Sequence, residues 1–72
     1  MYFVIQKKHD TTSAWANTIH NKDTYNDAIH QFHAFMSTYA YGQVVTCDYA
    51  ACSVEDEAGT VIFGPEVYDN RQ

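Results

Sequence analysis

The sequence predicts an α+β domain in which one helix packs on one face of a four-stranded antiparallel sheet. Two β-type segments precede a single segment of helical periodicity, two more follow it, and turn-forming residues separate them. The predicted order of elements is therefore β-β-α-β-β. At 72 residues the chain is expected to form one domain, residues 1–72.

The first strand is predicted at residues 2–8, YFVIQKK, because aromatic and β-branched side chains favour the pleated surface. In this strand Phe3 and Ile5 share one face, and Tyr2 and Val4 share the other. Both faces of the strand are apolar at its start, which predicts that both are buried.

The turn 9–13, HDTTS, leads to a second strand at residues 14–20, AWANTIH, and so completes an N-terminal hairpin. Trp15 and Ile19 share one face of this strand. We expect the Trp15 ring to be buried in the core together with the phenylalanine rings.

The helix is predicted between Thr24, which can cap it, and Gly42, which can end it in a left-handed conformation. Asp27 occupies the third position of a capping box, and Asp23 is an alternative cap. The apolar residues at helical spacing are Tyr25, Ala28, Ile29, Phe32, Phe35, Met36 and Tyr39.

The second half of the chain predicts another hairpin. Residues 43–54 form the third strand, with a bulge near Asp48, and 55–59, EDEAG, form the loop. The fourth strand begins at 60–63, TVIF, and the tail 66–72 can continue it after Gly64 and Pro65. Because proline lacks an amide hydrogen, this strand is expected at an edge of the sheet.

One helix covers only one side of four strands, so the other side needs a second covering layer. The side chains expected on that uncovered side are Tyr2, Val4, Val44 or Val45, Tyr49, and either Val61 with Phe63 or Ile62. An exposed apolar patch of this kind marks an interface. The sequence therefore predicts a homodimer in which two sheets meet.

The net charge of −5 is concentrated in one part of the chain. Three lysines balance three aspartates in residues 1–42, whereas Arg71 alone opposes six acidic residues in 43–72. With only four Lys and Arg in total, direct binding to nucleic acid is not expected. The six acidic residues are Asp48, Glu55, Asp56, Glu57, Glu66 and Asp69.

These acidic residues can form one negative surface on the sheet side, which would attract a partner with a basic surface. Tyrosines are the second interface candidates, since each joins an apolar ring to a polar tip. The alternatives are a solvated acidic turn and tyrosines at the edge of the core. The predicted partner-binding residues are Tyr2, Val4, Asp48, Tyr49, Glu55, Asp56, Glu57, Glu66, Tyr68 and Asp69.

No catalytic, metal-binding or cofactor-binding residue is predicted. His30 and His33 lie three residues apart on the helix, but no CxxC, HExxH or glycine-rich phosphate motif accompanies them. Cys47 and Cys52 are expected to be free, buried thiols. The alternative function is a small metal-binding or thiol-dependent enzyme that uses the helix histidines and a cysteine.

The expected compartment is the cytoplasm. No apolar run approaches the ~20 residues of a membrane span. The N-terminal apolar run is too short for a signal peptide, and its lysines follow that run instead of preceding it.

The segments FVIQKK, AIHQFHAFMSTYAYG and DYAACSVEDEAG, in this order, resemble a set of short uncharacterised proteins carried by phages and mobile elements of Gram-positive bacteria. The resemblance implies a cytoplasmic, non-enzymatic accessory protein that acts on host or element proteins. Some small acidic proteins of such elements inhibit host defence nucleases. The resemblance assigns no functional residue.

Overall fold

A computed structural model describes residues 1–10, 14–39 and 47–71. The elements are β1 (Tyr2–Asp10), β2 (Trp15–Lys22), α1 (Tyr25–Tyr39), β3 (Cys47–Glu55) and β4 (Val61–Asp69). The strands form a single antiparallel sheet in the order β2-β1-β3-β4, and the helix packs on one face of that sheet. The predicted fold class and order of elements are thus confirmed.

The first hairpin is longer than predicted, because β1 continues through His9 and Asp10, which the sequence assigned to a turn. The backbone amide of Asp10 donates to the carbonyl of Ala14 at 3.0 Å, and the Ala14 amide donates to the Asp10 carboxylate at 3.1 Å. These two bonds close the hairpin. The remaining residues of the predicted turn, 11–13, lie outside the described residues.

The helix begins as predicted. The hydroxyl of Thr24 accepts a hydrogen bond from the Asp27 amide at 3.1 Å, which satisfies one of the amides left unpaired at a helix start. The last described helical residue is Tyr39. The predicted C-cap Gly42 lies outside the described residues, as do Val44 and Val45.

The core lies between α1, β1 and β3. Phe32 is fully buried and packs edge-on against the ring of Phe63, with 4.8 Å between ring centroids. The other buried apolar residues of the core are Val4, Ala28, Phe35, Met36, Ala50, Cys52 and Val54.

The predicted face of Tyr2 and Val4 is wrong. Val4 is fully buried in the core, and Tyr2 packs against that core and places its ring on Tyr25 of the helix. The reason is the pairing of β1 with β3, in which Val4 lies opposite the buried Val54. The even-numbered residues of β1 therefore face the helix, and Phe3 and Ile5 face the other way.

The fourth strand lies at an edge of the sheet, as predicted. Phe63 packs against the core, whereas Val61 pairs with Glu55 on the other side of the sheet. The two residues were predicted to share a face. They do not, because the register between β3 and β4 shifts between them.

Candidate functional site

No described helix or strand packs on the face of the sheet turned away from α1, and we call it the open face. Its central apolar side chains come from all four strands, and two of them are mostly exposed, Ile19 at 62% and Val67 at 57%. By strand pairing and alternation, the open face consists of Phe3, Ile5, Lys7, His9, Trp15, Asn17, Ile19, Asn21, Tyr49, Ala51, Ser53, Glu55, Val61, Val67 and Asp69.

Two aromatic rings meet at one end of the open face. His9 pairs with Trp15 on one neighbouring strand and with Tyr49 on the other, so the three side chains form one row across the sheet. The Trp15 and Tyr49 ring centroids are 5.4 Å apart in an edge-on arrangement, and the His9 ring lies 4.7 Å from Trp15. Trp15 nevertheless keeps 46% of its surface exposed, so its predicted burial in the core is wrong.

A guanidinium lies against these rings. The Arg71 Cζ atom is 4.7 Å from the Tyr49 ring centroid and 5.3 Å from that of Trp15, within the range of cation–π attraction. The Nε and Nη2 atoms of Arg71 each donate to a different oxygen of Asp69 at 3.0 Å. We call Trp15, Tyr49 and Asp69, the three residues that hold this group, the arginine cage.

The paired guanidinium changes the acidity of the cage carboxylate. Hydrogen bonds from Arg71 lower the pKa of Asp69 to about 2. The same contacts raise the pKa of Arg71. Asp69 is therefore ionised over the whole physiological pH range while Arg71 is in contact with it.

Further polar contacts surround the cage. The Lys7 Nζ atom lies 4.9 Å from the Trp15 ring centroid, and His9 Nδ1 lies 2.6 Å from an Asp48 carboxylate oxygen. The Asn70 amide donates to the Asp48 carbonyl at 2.8 Å. The predicted bulge at Asp48 is confirmed, since the pairing of β1 with β3 passes from Tyr49 to Cys47 and skips that residue.

The predicted acidic residues do not form one surface. Asp48 and Asp69 lie at the cage end, whereas Glu55 is seven residues further along β3, which corresponds to roughly 23 Å of extended strand. At the cage end Asp69 forms an ion pair with Arg71, and Asp48 forms a hydrogen bond with the His9 ring. The negative charge is therefore divided between the two ends of the sheet.

The acidic hairpin has a local structural role. The Asp56 carboxylate accepts hydrogen bonds from the amides of Ala58 and Thr60 at 2.9 and 3.0 Å. Gly59 adopts the positive φ of 81° that the sequence predicted. Glu57 accepts a hydrogen bond at 2.5 Å from the amino group of Met1. Two of the three predicted carboxylates are thus engaged within the chain.

Besides Tyr2 and Val4, two further predicted partner-binding residues lie on the helix side of the sheet. Tyr68 is partly buried against the core beneath the helix. Glu66 pairs with Cys52, whose side chain belongs to that same core, so Glu66 stands on the helix side of the edge strand. Of the predicted residues, Tyr49, Glu55 and Asp69 lie on the open face, and Asp48 borders it at the bulge.

The helix histidines lie apart from the cage. His30 and His33 are both exposed, and His33 touches the edges of the Phe32 and Phe63 rings.

Burial raises the pKa of the Cys52 thiol to about 12, which suppresses the nucleophilic thiolate. Within residues 1–10, 14–39 and 47–71, no three His, Cys, Asp or Glu side chains are placed to hold a metal ion.

Sequence reasoning missed three important residues, namely Ile19, Trp15 and Arg71. Ile19 and Trp15 were correctly placed on one face of β2, but that face was not identified as the open one. The pairing of β1 with β2 decides this, because it sets Ile19 opposite Ile5. No local pattern predicts that Arg71 folds back onto rings from two other strands.

The chain matches no protein-family model, no curated protein and no solved structure. The helix that lies in the described part of the chain is shorter and less apolar than a bilayer-crossing helix has to be.

Proposed function

We propose that the chain is a non-enzymatic, cytoplasmic protein-binding domain that forms a homodimer through the apolar part of its open face. The observation that carries this proposal is the exposure of Ile19 and Val67 on a face against which no described helix or strand packs. Apolar side chains from four adjacent strands form a broad surface, and burying them against a like surface is favourable.

The size of the face suits a weak dimer. The two longest extents of the molecule are 35 and 19 Å. Such a face offers roughly 650 Å² per chain, at the low end of the ~600–1,000 Å² per partner of standard interfaces, and about half of its residues are apolar. We therefore expect a reversible dimer whose dissociation constant is on the order of micromolar.

Analytical ultracentrifugation over a range of concentrations tests the proposal. The wild type should shift from monomer to dimer across the micromolar range. Ile19→Lys should keep the protein monomeric, because it places a charge on the apolar surface that the dimer would bury. A wild type that stays monomeric at the highest concentration contradicts the proposal.

Thr18→Lys is the matched control. Thr18 is the preceding residue of the same edge strand, is also exposed, and pairs with Gln6 on the helix side of the sheet. This variant adds the same charge at the same strand but on the opposite face. It should dimerise like the wild type, and an equal loss of dimer in both variants would show that the open face is not the interface.

A narrower form of the proposal concerns the second partner. The net charge of −5 and the resemblance to phage and mobile-element proteins support inhibition of a host nucleic-acid-binding or defence protein with a basic surface. A pull-down from a Gram-positive host, followed by mass spectrometry, tests it. Recovery of a protein whose nucleic-acid binding falls when the chain is added supports this form, and recovery of no such protein counts against it.

A further inference from the structure

The arginine cage lies at one end of the open face, beyond its central apolar residues. Two aromatic rings, from β2 and β3, and one carboxylate, from β4, converge on a single guanidinium. The occupant belongs to the chain itself, since Arg71 lies two residues after Asp69, the last residue of β4, and its side chain turns back onto the sheet. The group that this part of the surface binds in the structure is therefore a guanidinium.

We propose that the arginine cage is a docking site for an arginine side chain of a partner protein, and that Arg71 occupies this site until the partner displaces it. The proposal rests on the proposed protein-binding function and names the chemistry of the second, basic partner. The cage residues come from three strands of the sheet, so they stay in place when Arg71 leaves.

The geometry selects arginine over lysine. The two Asp69 oxygens each accept one hydrogen bond from a planar fork of donors, which a single ammonium group cannot match. The flat guanidinium also stacks on aromatic rings while its edge remains hydrogen-bonded. Lys7 lies near the Trp15 ring, but the hydrogen bonds to Asp69 are made by Arg71.

Displacement is energetically accessible because the Arg71 contacts are exposed. Arg71 and Asp69 keep 41% and 43% of their side-chain surfaces exposed, and ion pairs with this exposure contribute little. The backbone bond from Asn70 to Asp48 anchors the segment just before Arg71. Release of the Arg71 side chain therefore leaves the sheet intact.

Removing Arg71 should open the cage. The probe is N-acetyl-arginine amide, and the readout is the fluorescence of Trp15, which is the single tryptophan of the chain. Arg71→Ala should give a saturable fluorescence change. If Arg71 fills the cage about nine-tenths of the time, the wild type should bind the probe about tenfold more weakly.

Three controls define the site. N-acetyl-lysine amide should bind Arg71→Ala at least several-fold more weakly than the arginine probe, because it cannot engage both Asp69 oxygens. Asp69→Asn, added to Arg71→Ala, should abolish saturation. Asp23→Asn, added to Arg71→Ala instead, removes the same charge beyond the far end of β2 from Trp15 and should leave probe binding unchanged.

Several outcomes would overturn the proposal. Equal responses to the two amides would show a non-specific cation effect, and equal responses of the wild type and Arg71→Ala would show that Arg71 does not compete. Loss of the dimer in Arg71→Ala would also overturn it, because Arg71 would then serve a second copy of the chain.

The experiment separates this proposal from the proposed function. If the protein stays monomeric but binds the arginine probe, the proposed dimer is wrong and the proposed docking site is supported. If the protein dimerises through Ile19 but does not bind the probe, the dimer is supported and the docking site is wrong.

Discussion

At the residue scale, Gly64 shows why one position in the edge strand has to be glycine. Its φ is 84°, a conformation that side-chain-bearing residues rarely adopt. An added Cβ would lie 3.0 Å from the Cys52 carbonyl oxygen and 3.3 Å from the Phe32 ring. Because glycine has no Cβ, β4 can approach β3 and the Phe32 ring this closely at the point where its register with β3 shifts.

We expect Gly64→Ala to destabilise the protein more than Gly59→Ala, and the two substitutions form a matched pair. Gly59 has a similar φ of 81°, but no atom lies within 4 Å of its added Cβ. Gly59→Ala should cost about 1–2 kcal/mol from backbone strain. Gly64→Ala should cost a further ~1–3 kcal/mol from overpacking.

Urea unfolding followed by circular dichroism measures this difference. Equal losses at the two positions would mean that the Cys52 carbonyl and the Phe32 ring move aside without cost. In that case the core beneath the edge strand would be less tightly packed than the contacts indicate.

At the element scale, the helix start was predictable and the orientation of β1 was not. Thr24 and Asp27 carry a local signal that needs no tertiary information, and Thr24 caps the helix as predicted. On each face of β1 the first two side chains are apolar and the later ones are polar. The alternation pattern therefore cannot tell which face is turned towards the helix. The choice comes from β3, where the buried Ala50, Cys52 and Val54 alternate with residues that are only partly buried.

Thr24→Ala should reduce the free energy of unfolding by about 1 kcal/mol, because it leaves the Asp27 amide without its acceptor. Asn26→Ala is the control, since Asn26 is an exposed residue of the same helical turn and should change stability by less than about 0.5 kcal/mol. Chemical denaturation monitored through the helical ellipticity gives both values. Equal effects of the two variants would contradict the assigned cap.

At the scale of the whole molecule, the order of elements could be predicted because each has its own periodicity and its own turn residues. The candidate site could be predicted only in part. Tyr49, Asp48 and Asp69 come together at the cage, but their arrangement depends on a strand register and on the return of Arg71. These are long-range contacts that local patterns do not encode.

The expectation of a partner retains its physical basis although several residues assigned to the surface were wrong. One helix covers one face of the sheet, and the other face carries exposed apolar side chains in place of Tyr2 and Val4. A domain of this length buries little apolar surface by itself. Burial of these residues against a second copy would add to the apolar surface that is buried.

Isotope-filtered nuclear Overhauser spectroscopy on a mixture of labelled and unlabelled protein tests this central claim most directly. The methyl groups of Ile5, Ile19 and Val67 should show contacts between chains at concentrations where the dimer predominates. Intermolecular contacts that arise only from the helix surface, or none at any concentration, would contradict the account.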